Sequence, residues 1–405
     1  PPERLEYKRL AMPRSNDFLH ADSEVPRHLG NGRVIELDGL RGLAILMVLV
    51  WHYVVGQVQV PAGSTMAYLL KLLSLTWVGV DLFFVLSGFL IGGILLDNRN
   101  ATNYFRTFYI RRTLRIFPLY YLTLACYVGF ANISPLREGS VFEWLMGDPM
   151  PTWTYLTYLQ NFAMAEKGSL GAHWMAITWS LAVEEQFYLV LPALVLVAST
   201  RALPWILGAL IVAAILFRVA VFLTHHNAGL PGFLLLPGRW DALFIGVLGA
   251  CAVRQPGFPE RIELFLPWLR VLVVLGLAAA FAFLVKGQGI GSAGMTYGGY
   301  TVVAITSLGA ILLALYSKQG WIRELVSIRP LAWLGTVSYG VYLLHEPASG
   351  LAHGLLRDQA PRMSGMVDMA VTTLAFSVTL GIAAISWRYF EKPLVDIGHR
   401  VKYGT

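Results

Sequence analysis

Ten apolar runs divide the chain, and most of them are long enough to cross a lipid bilayer. A helix needs roughly 20 apolar residues to span the ~30 Å hydrocarbon core of a membrane. The runs lie near residues 39–57, 76–96, 117–133, 177–199, 204–223, 239–253, 268–286, 299–316, 331–351 and 366–388. This pattern predicts an all-α polytopic membrane protein with about ten transmembrane helices.

The composition supports this prediction and excludes several other classes of protein. Hydrophobic residues make up 56% of the 405 residues, charged residues make up 14%, and the mean hydropathy is +0.59. A soluble domain of this length does not need so much apolar surface. Cys126 and Cys251 both lie in apolar stretches, so they indicate neither a disulfide framework nor a thiolate metal site. The sequence predicts no metal site and no nucleic-acid binding.

The net charge of +7 is unevenly distributed between alternate loops. If the N-terminus is cytoplasmic, the Lys and Arg residues concentrate in the cytoplasmic segments, for example around 99–115, 254–261 and 388–402. The long segment 132–176, on the other side, is acidic instead. Cytoplasmic loops carry an excess of Lys and Arg. We therefore expect an even number of spans, both termini in the cytoplasm and a multi-pass location in the inner (plasma) membrane.

Two ionisable residues lie far apart in the first run, in the segment LDGLRGLAILMVLVWHYVVG. Arg41 is near its start, one turn after Asp38, and His52 is near its end. Eleven residues at ~100° each bring Arg41 and His52 to one helix face, roughly 16 Å apart along the axis. Ionisable groups inside membranes are costly and often functional. The spacing suits a long substrate with an anionic head at Arg41 and its reactive end at His52. A histidine that only packs against another helix is the alternative.

Charged residues also lie within the second run and directly before the third. Asp81 is an acid within a span, in WVGVDLFFVLSGFLIGG, where the glycines permit either close helix packing or a broken helix. Arg112 and Arg115 are three residues apart and so share a helix face, with Arg111 beside them. Such a cluster suits bidentate phosphate contacts. A topology anchor at the cytoplasmic end of the span is equally compatible with it.

A polar stripe follows one face of the span that begins ITWSLAVEEQFYLVLP. Ser180, Glu184 and Tyr188 recur at intervals of four residues, and Glu185 is adjacent. Two neighbouring carboxylates inside a span are difficult to explain by packing alone. The stripe therefore indicates a functional site.

Two further polar pairs lie in later runs. Arg239 and Asp241, in LPGRWDALFIGVLGA, either neutralise each other or belong to a buried network. Tyr342 and His345, in LGTVSYGVYLLHEP, are three residues apart on one helix face. We include all four in a supporting polar network together with Asp38, Asp81, Ser180 and Tyr188.

In their order along the chain, these segments resemble the membrane-bound acyltransferase-3 family. The matching motifs are LDGLRGLAILMVLVWH, VGVDLFFVLSGFLIG, RRTLRIFPLYY, TWSLAVEEQFYLVLP, RWDALFIGVLGA, WLGTVSYGVYLLHEP and YFEKPL. The resemblance implies a transmembrane acyltransferase domain over residues 35–395, between cytoplasmic tails at 1–34 and 396–405. Some members carry an esterase-like domain after the last span, which we do not expect in a chain that ends at Thr405.

The resemblance also implies an activity. Family members move acyl groups, most often acetyl, usually from cytoplasmic acyl-CoA to cell-surface carbohydrates or other glycoconjugates. We therefore expect acetyl-CoA as a co-substrate and no permanently bound cofactor. The family's arginine-to-histidine, paired-arginine and WSL-EEQFY motifs fall on Arg41 and His52, on Arg112 and Arg115, and on Ser180, Glu184, Glu185 and Tyr188. His173 lies further from the WSL motif than the histidine of many relatives, which leaves its role open.

The chemistry of these residues fits acyl transfer to an alcohol. His52 is the expected base, or a nucleophile that forms an acyl-imidazole. Glu184 or Glu185 would orient its imidazolium, and the three arginines Arg41, Arg112 and Arg115 would hold the donor phosphates. We also expect a tunnel through the membrane that is lined by Arg41, His52, Asp81 and Glu184.

Other functions remain compatible with the sequence. Buried Arg, Asp, Glu and His also build proton relays in transporters, so a proton-coupled transporter or a flippase of a lipid-linked sugar is the main alternative. A structural subunit of an export complex leaves the intramembrane charges unexplained. In the segment 132–176, Trp and Tyr residues form either a sugar-binding platform or an interfacial belt; they are Trp144, Trp153, Tyr155, Tyr158 and Trp174. A homo-oligomer is compatible with either function.

Overall fold

The structure is a computed structural model that describes residues 34–61, 63–133, 142–224 and 229–404. Most of the predicted N-terminal tail, residues 1–33, lies outside the described residues, as does Thr405. Within the described ranges every regular element is a helix. The prediction of an all-α membrane protein is thus confirmed.

Among its described residues, the first half of the chain contains four long helices and five short ones. They are α1 (Ile35–Leu49), α2 (Thr65–Leu73), α3 (Gly79–Asp97), α4 (Tyr104–Ala131), α5 (Glu143–Met146), α6 (Thr152–Leu156), α7 (Gln160–Lys167), α8 (His173–Ala176) and α9 (Trp179–Val197). A π-helical segment, Val50–Val55, continues α1, and a 3₁₀ segment, Ser74–Val78, joins α2 to α3.

The second half adds, within its described ranges, the remaining long helices and four short ones. They are α10 (Leu203–Thr224), α11 (Leu230–Leu234), α12 (Leu236–Ala252), α13 (Phe258–Val285), α14 (Tyr300–Tyr316), α15 (Trp321–Val326), α16 (Arg329–Thr336), α17 (Ser338–Arg357), α18 (Met366–Ser386) and α19 (Lys392–Arg400). Further π-helical segments, Met295–Gly299 and Trp387–Glu391, precede α14 and α19.

Nine helical stretches among the described residues are long and apolar enough to cross a membrane. The predicted run 331–351 instead forms α16 and α17, and α17 is a 20-residue helix whose polar residues face the bundle interior. The third predicted run was too short, because α4 begins at Tyr104. Arg112 and Arg115 therefore lie inside a spanning helix rather than in the preceding loop. The orientation of the termini stays a prediction.

Glycines allow the central helices to pack with their backbones in direct contact. A Cβ atom added to Gly42 on α1 would lie 1.9 Å from the carbonyl oxygen of Leu331 on α16. On α3, a Cβ atom at Gly88 would lie 1.9 Å from the carbonyl oxygen of Leu243 on α12. Small residues permit this approach between membrane helices. The Ser-Gly motif of α3 therefore serves close packing, since α3 continues unbroken to Asp97.

Two buried ion pairs join α3, α10 and α12. Arg239 donates to Asp81 at 2.5 Å, and Arg218 donates to Asp241 at 2.9 Å, with all four side chains at most 1% exposed. Arg218 also donates to the hydroxyl of Thr301 at 2.8 Å. Of the two alternatives that the sequence left open for Arg239 and Asp241, the structure has the buried network, because each residue has its partner on another helix. Arg218 was not singled out from the sequence.

The Asp81–Arg239 pair generates the first prediction. In the Asp81→Asn variant the guanidinium of Arg239 loses its counter-charge inside the bundle, and breaking a buried pair typically costs about 3–5 kcal/mol. We expect a clearly lower melting temperature in detergent. The double variant Asp81→Leu/Arg239→Met should recover most of the loss, because no unpaired charge remains. An Asp81→Asn protein with wild-type stability and impaired substrate binding would instead support the tunnel-lining role predicted from the sequence.

Candidate functional site

A cavity of about 220 Å³ brings together the three arginines that the sequence singled out. Arg41 on α1 and Arg112 and Arg115 on α4 all line it. One wall is apolar and comes mainly from α3, including Phe83, Leu90 and Ile94. A cationic cluster beside an apolar wall suits a ligand with an anionic head and a thin apolar arm. We call the end of the bundle that carries these arginines the arginine end.

The arginines are held by different partners. Arg41 donates to Asp38, one turn earlier on α1, at 3.1 Å. The guanidinium of Arg112 lies over the ring of Tyr188, 5.7 Å from its centroid. Arg115 interacts electrostatically with Glu391, a buried carboxylate before α19 that the sequence analysis did not single out. The cluster therefore keeps its guanidinium groups directed towards the cavity without neutralising all of them.

The polar stripe of α9 forms the next layer of the cavity. Glu184 and Tyr188 line it together with Ser87 of α3. The hydroxyls of Ser87 and Tyr188 are 2.5 Å apart, and the carboxyl of Glu184 is hydrogen-bonded to both residues. Glu185 is not among the lining residues, and its Oε1 is buried with no hydrogen-bond partner among the described residues. The two adjacent glutamates are thus in different environments.

Ser180 and Tyr342 close the cavity at the end away from the arginines. Their hydroxyls are 2.7 Å apart, and Tyr342 donates to the carbonyl oxygen of Ile177 at 2.8 Å. The ring of Tyr342 lies 5.9 Å from that of His345, one turn further along α17. The cavity therefore ends at a tyrosine whose far side faces a histidine.

His52, His345 and Glu346 lie together beyond this tyrosine, and we call them the histidine group. Nδ1 of His345 lies 2.7 Å from the carbonyl oxygen of Tyr342, so Nδ1 carries the proton and Nε2 accepts. Nδ1 of His52 lies 2.9 Å from the carbonyl oxygen of Val48 and 3.3 Å from Nε2 of His345. His52 therefore also carries its proton on Nδ1. Its Nε2 has a free lone pair, 3.5 Å from a carboxyl oxygen of Glu346.

Glu346 occupies the place that the sequence analysis gave to Glu184 or Glu185. In the described part of the chain no hydrogen bond or ion pair joins either of those residues to His52. The signal for Glu346 was present in the sequence, since this carboxylate directly follows His345 in an apolar run. The reason it was missed is geometric, because only the packing of α17 against α1 brings Glu346 to His52.

The predicted tunnel is only partly present in this structure. Arg41 and Glu184 line the cavity, as expected, but His52 and Asp81 are not among its lining residues. Asp81 is fully buried in its ion pair with Arg239. Tyr342 and His345 lie between the cavity and His52. A path from the arginines to His52 therefore passes the side chain of Tyr342.

The helix that carries Arg41 and His52 changes its winding between them. It is α-helical to Leu49 and π-helical over Val50–Val55. The sequence predicted a continuous α-helix through His52. Short π-helical segments occur frequently at functional sites. His52 lies inside this segment and its side chain is 26% exposed, so a substrate can reach it.

The histidine group also has the composition of a metal site. One ligand atom from each of its three residues lies within 4.8 Å of the others. Two imidazoles and a carboxylate can hold Zn²⁺ with a fourth position open for substrate. The 3.3 Å contact between His52 and His345 fits a direct hydrogen bond between the rings equally well.

Comparison with protein families gives a match over most of the chain. A family model described as an acyltransferase domain matches residues 34–388. This range includes the cavity, the histidine group and all the long helices described above, and it ends before the short helix α19. No solved structure matches the chain significantly.

Curated relatives of this chain are bacterial. The peptidoglycan O-acetyltransferase OatA of Listeria monocytogenes is 28% identical over 389 residues, which cover 89% of this chain and 56% of OatA. YrhL of Bacillus subtilis, to which its name assigns the same activity provisionally, is 27% identical over 394 residues, or 90% of this chain and 55% of YrhL. The chain thus spans about half the length of the curated relatives it matches.

The hydrogen bond between the two histidines leads to a prediction about metals. If His52 donates directly to His345, the group needs no cation, and we expect the purified protein to contain no stoichiometric metal by mass spectrometry. Treatment with a chelator should leave its activity unchanged. One equivalent of zinc that disappears in both His52→Ala and Glu346→Ala would contradict this expectation.

Proposed function

The chain belongs to the acyltransferase family whose model it matches, and from this premise we propose that it is a membrane O-acyltransferase. It moves an acyl group, most simply acetyl, from cytoplasmic acyl-CoA to a hydroxyl of an extracytoplasmic cell-wall carbohydrate. One observation carries the proposal. A line of polar residues leads from the arginine-lined cavity through Tyr342 and His345 to an accessible His52.

The donor occupies the cavity in this proposal. Arg41, Arg112 and Arg115 bind the phosphates of the nucleotide, because guanidinium groups form bidentate, charge-assisted bonds with phosphate oxygens. The thin arm that carries the thioester lies along the apolar wall of α3. The cavity ends at Tyr342, so this side chain turns aside when the thioester advances towards His52.

His52 acts as the general base on the acceptor. Its Nε2 takes the proton of the acceptor hydroxyl while the hydroxyl oxygen attacks the carbonyl carbon of the thioester. The carbon–sulfur bond then breaks, and the proton passes from His52 to the departing thiolate. The proton on Nδ1 of His52 stays on this nitrogen throughout, because Nδ1 donates hydrogen bonds to the carbonyl oxygen of Val48 and to Nε2 of His345, and these bonds fix the tautomer.

Glu346 stabilises the protonated state of His52. When Nε2 holds the acceptor's proton, the imidazolium lies 3.5 Å from the carboxyl of Glu346 in a largely buried site. An opposite charge at this distance favours the charged ring. A transient acyl group on Nε2 is the second route, and it uses the same geometry.

Two observations favour an acyltransferase over a transporter. The family match covers the whole arginine-to-histidine line. In addition, the charges most typical of a proton relay form buried ion pairs with one another, Asp81 with Arg239 and Arg218 with Asp241. The acceptor class follows OatA, whose name specifies peptidoglycan. Because the chain spans about half of that relative, the activity of the entire relative comes to this chain only as part of the proposal.

The role of His52 is tested by replacing it. We expect His52→Ala to bind acetyl-CoA normally and to lose at least ~10²-fold in acetyl transfer, the usual contribution of a general base. Transfer is measured as thiol release that depends on a soluble peptidoglycan fragment. His353→Gln is the matched control, since His353 is a buried histidine on α17 that bonds to Thr372 instead. Near-normal transfer by His52→Ala would move the base to His345.

Donor binding is tested at the arginines. Arg112→Ala and Arg115→Ala should each weaken acetyl-CoA binding, and Arg112→Lys should do so too, because an ammonium group cannot reproduce the bidentate fork. A loss of about tenfold corresponds to one charge-assisted bond of about 1.4 kcal/mol. Arg261→Ala is the control, because Arg261 donates to carbonyl oxygens at the start of its own helix. Unchanged affinity in both alanine variants would leave these arginines as topology anchors.

A further inference from the structure

The short helix α5 lies across α17 at the end of the bundle opposite the arginines. Two glycines one turn apart on α17 make this close contact possible, because they have no side chain. A Cβ atom added to Gly350 would lie 2.8 Å from the side chain of Leu145 and 3.1 Å from that of Trp144, and one added to Gly354 would lie 2.4 Å from the ring of Phe142. The α5 segment is therefore seated directly on the backbone of α17.

This contact places Trp144 close to the histidine group. Gly350 follows Glu346 by four residues, so it lies on the same face of α17, about 6 Å further along the axis. The edge of the Trp144 ring touches Gly350, and Glu346 is 3.5 Å from His52. Trp144 is therefore about one helical turn beyond the reacting nitrogen, on the side away from the donor cavity.

His173 completes a pair with Trp144. Their ring centroids are 4.1 Å apart with an interplanar angle of 33°. His173 is exposed, it is hydrogen-bonded to the backbone of Trp144, and it is near enough to His52 to act on it electrostatically. One ring nitrogen of His173 is thus occupied by the backbone bond, which leaves the other free for a ligand.

The other aromatic residues of this segment are not available to a ligand in the same way. Tyr155, Tyr158 and Trp174 are buried among their neighbours, with at most 6% of their surface exposed. Trp153 is 60% exposed, as expected of an interfacial anchor. Of the five aromatic residues suggested by the sequence, Trp144 alone combines a half-buried ring with a position beside the histidine group.

We propose that Trp144 and His173 form the acceptor subsite, which holds a pyranose ring so that one of its hydroxyls reaches Nε2 of His52. This inference rests on the proposed function, and it names the class of acceptor that binds beside His52. The apolar face of a sugar ring packs on the aromatic pair. The free ring nitrogen of His173 accepts a hydrogen bond from a second hydroxyl, which sets the orientation of the ring.

The test separates acceptor recognition from donor chemistry. Trp144→Ala and His173→Ala are each expected to raise the KM for a soluble peptidoglycan fragment about tenfold, with the KM for acetyl-CoA unchanged. Trp144→Phe should recover most of the affinity, because it keeps an aromatic plane. Trp205→Ala is the matched control, since Trp205 is 82% exposed on α10. It should leave both KM values at those of the wild type.

A binding measurement distinguishes failure of the subsite from failure of the proposed reaction. The fragment is titrated into His52→Ala and into the double variant His52→Ala/Trp144→Ala, and its binding is followed by saturation-transfer NMR. Binding that is lost only in the double variant supports the subsite even if the wild type transfers no acetyl group. Equal binding to both proteins, or an altered melting temperature with unchanged KM for the fragment, would overturn it and leave Trp144 as an interfacial anchor.

Discussion

The cost of placing a charged side chain inside a bilayer-spanning bundle is the constraint on which the rest of this structure depends. An isolated charge at that depth is expensive, and each one needs a partner, a hydrogen-bond network or a ligand. The protein meets this requirement in two ways. Asp81 and Arg239, and likewise Arg218 and Asp241, pair across helices and leave no exposed surface. Arg41, Arg112 and Arg115 instead keep their charges directed towards a cavity.

This division separates architecture from chemistry. The buried pairs join α3, α10 and α12 on one side of the bundle, where glycines bring α3 and α12 into backbone contact. The cavity lies between another face of α3, which forms its apolar wall, and the helices α1, α4, α9 and α17, whose polar groups are only partly satisfied within the protein. Partial satisfaction is useful there, because the missing interactions are those that an anionic donor supplies.

The histidine group is likewise only partly satisfied by hydrogen bonds within the protein. In His52 and in His345, Nδ1–H donates a hydrogen bond to a carbonyl oxygen of the preceding turn, that of Val48 and that of Tyr342 respectively. Helical geometry therefore fixes both tautomers without any further residue. What remains free is Nε2 of His52, which faces Glu346 on one side and the exposed end of the bundle on the other. The base is thus placed between the donor cavity and the Trp144–His173 pair.

The sequence by itself determined the helical membrane fold, the family and most of the polar residues of the site. Hydrophobic length reports directly on the bilayer, and Arg41, Arg112, Arg115, Ser180, Glu184 and Tyr188 all stand out against apolar neighbours. Only the tertiary structure decided which of these residues meet. It assigned Asp81 to Arg239, replaced Glu184 and Glu185 by Glu346 as the partner of His52, and brought Trp144 to its side. The reason is that periodicity fixes contacts along one helix, whereas the partner of a buried charge is set by how separate helices pack.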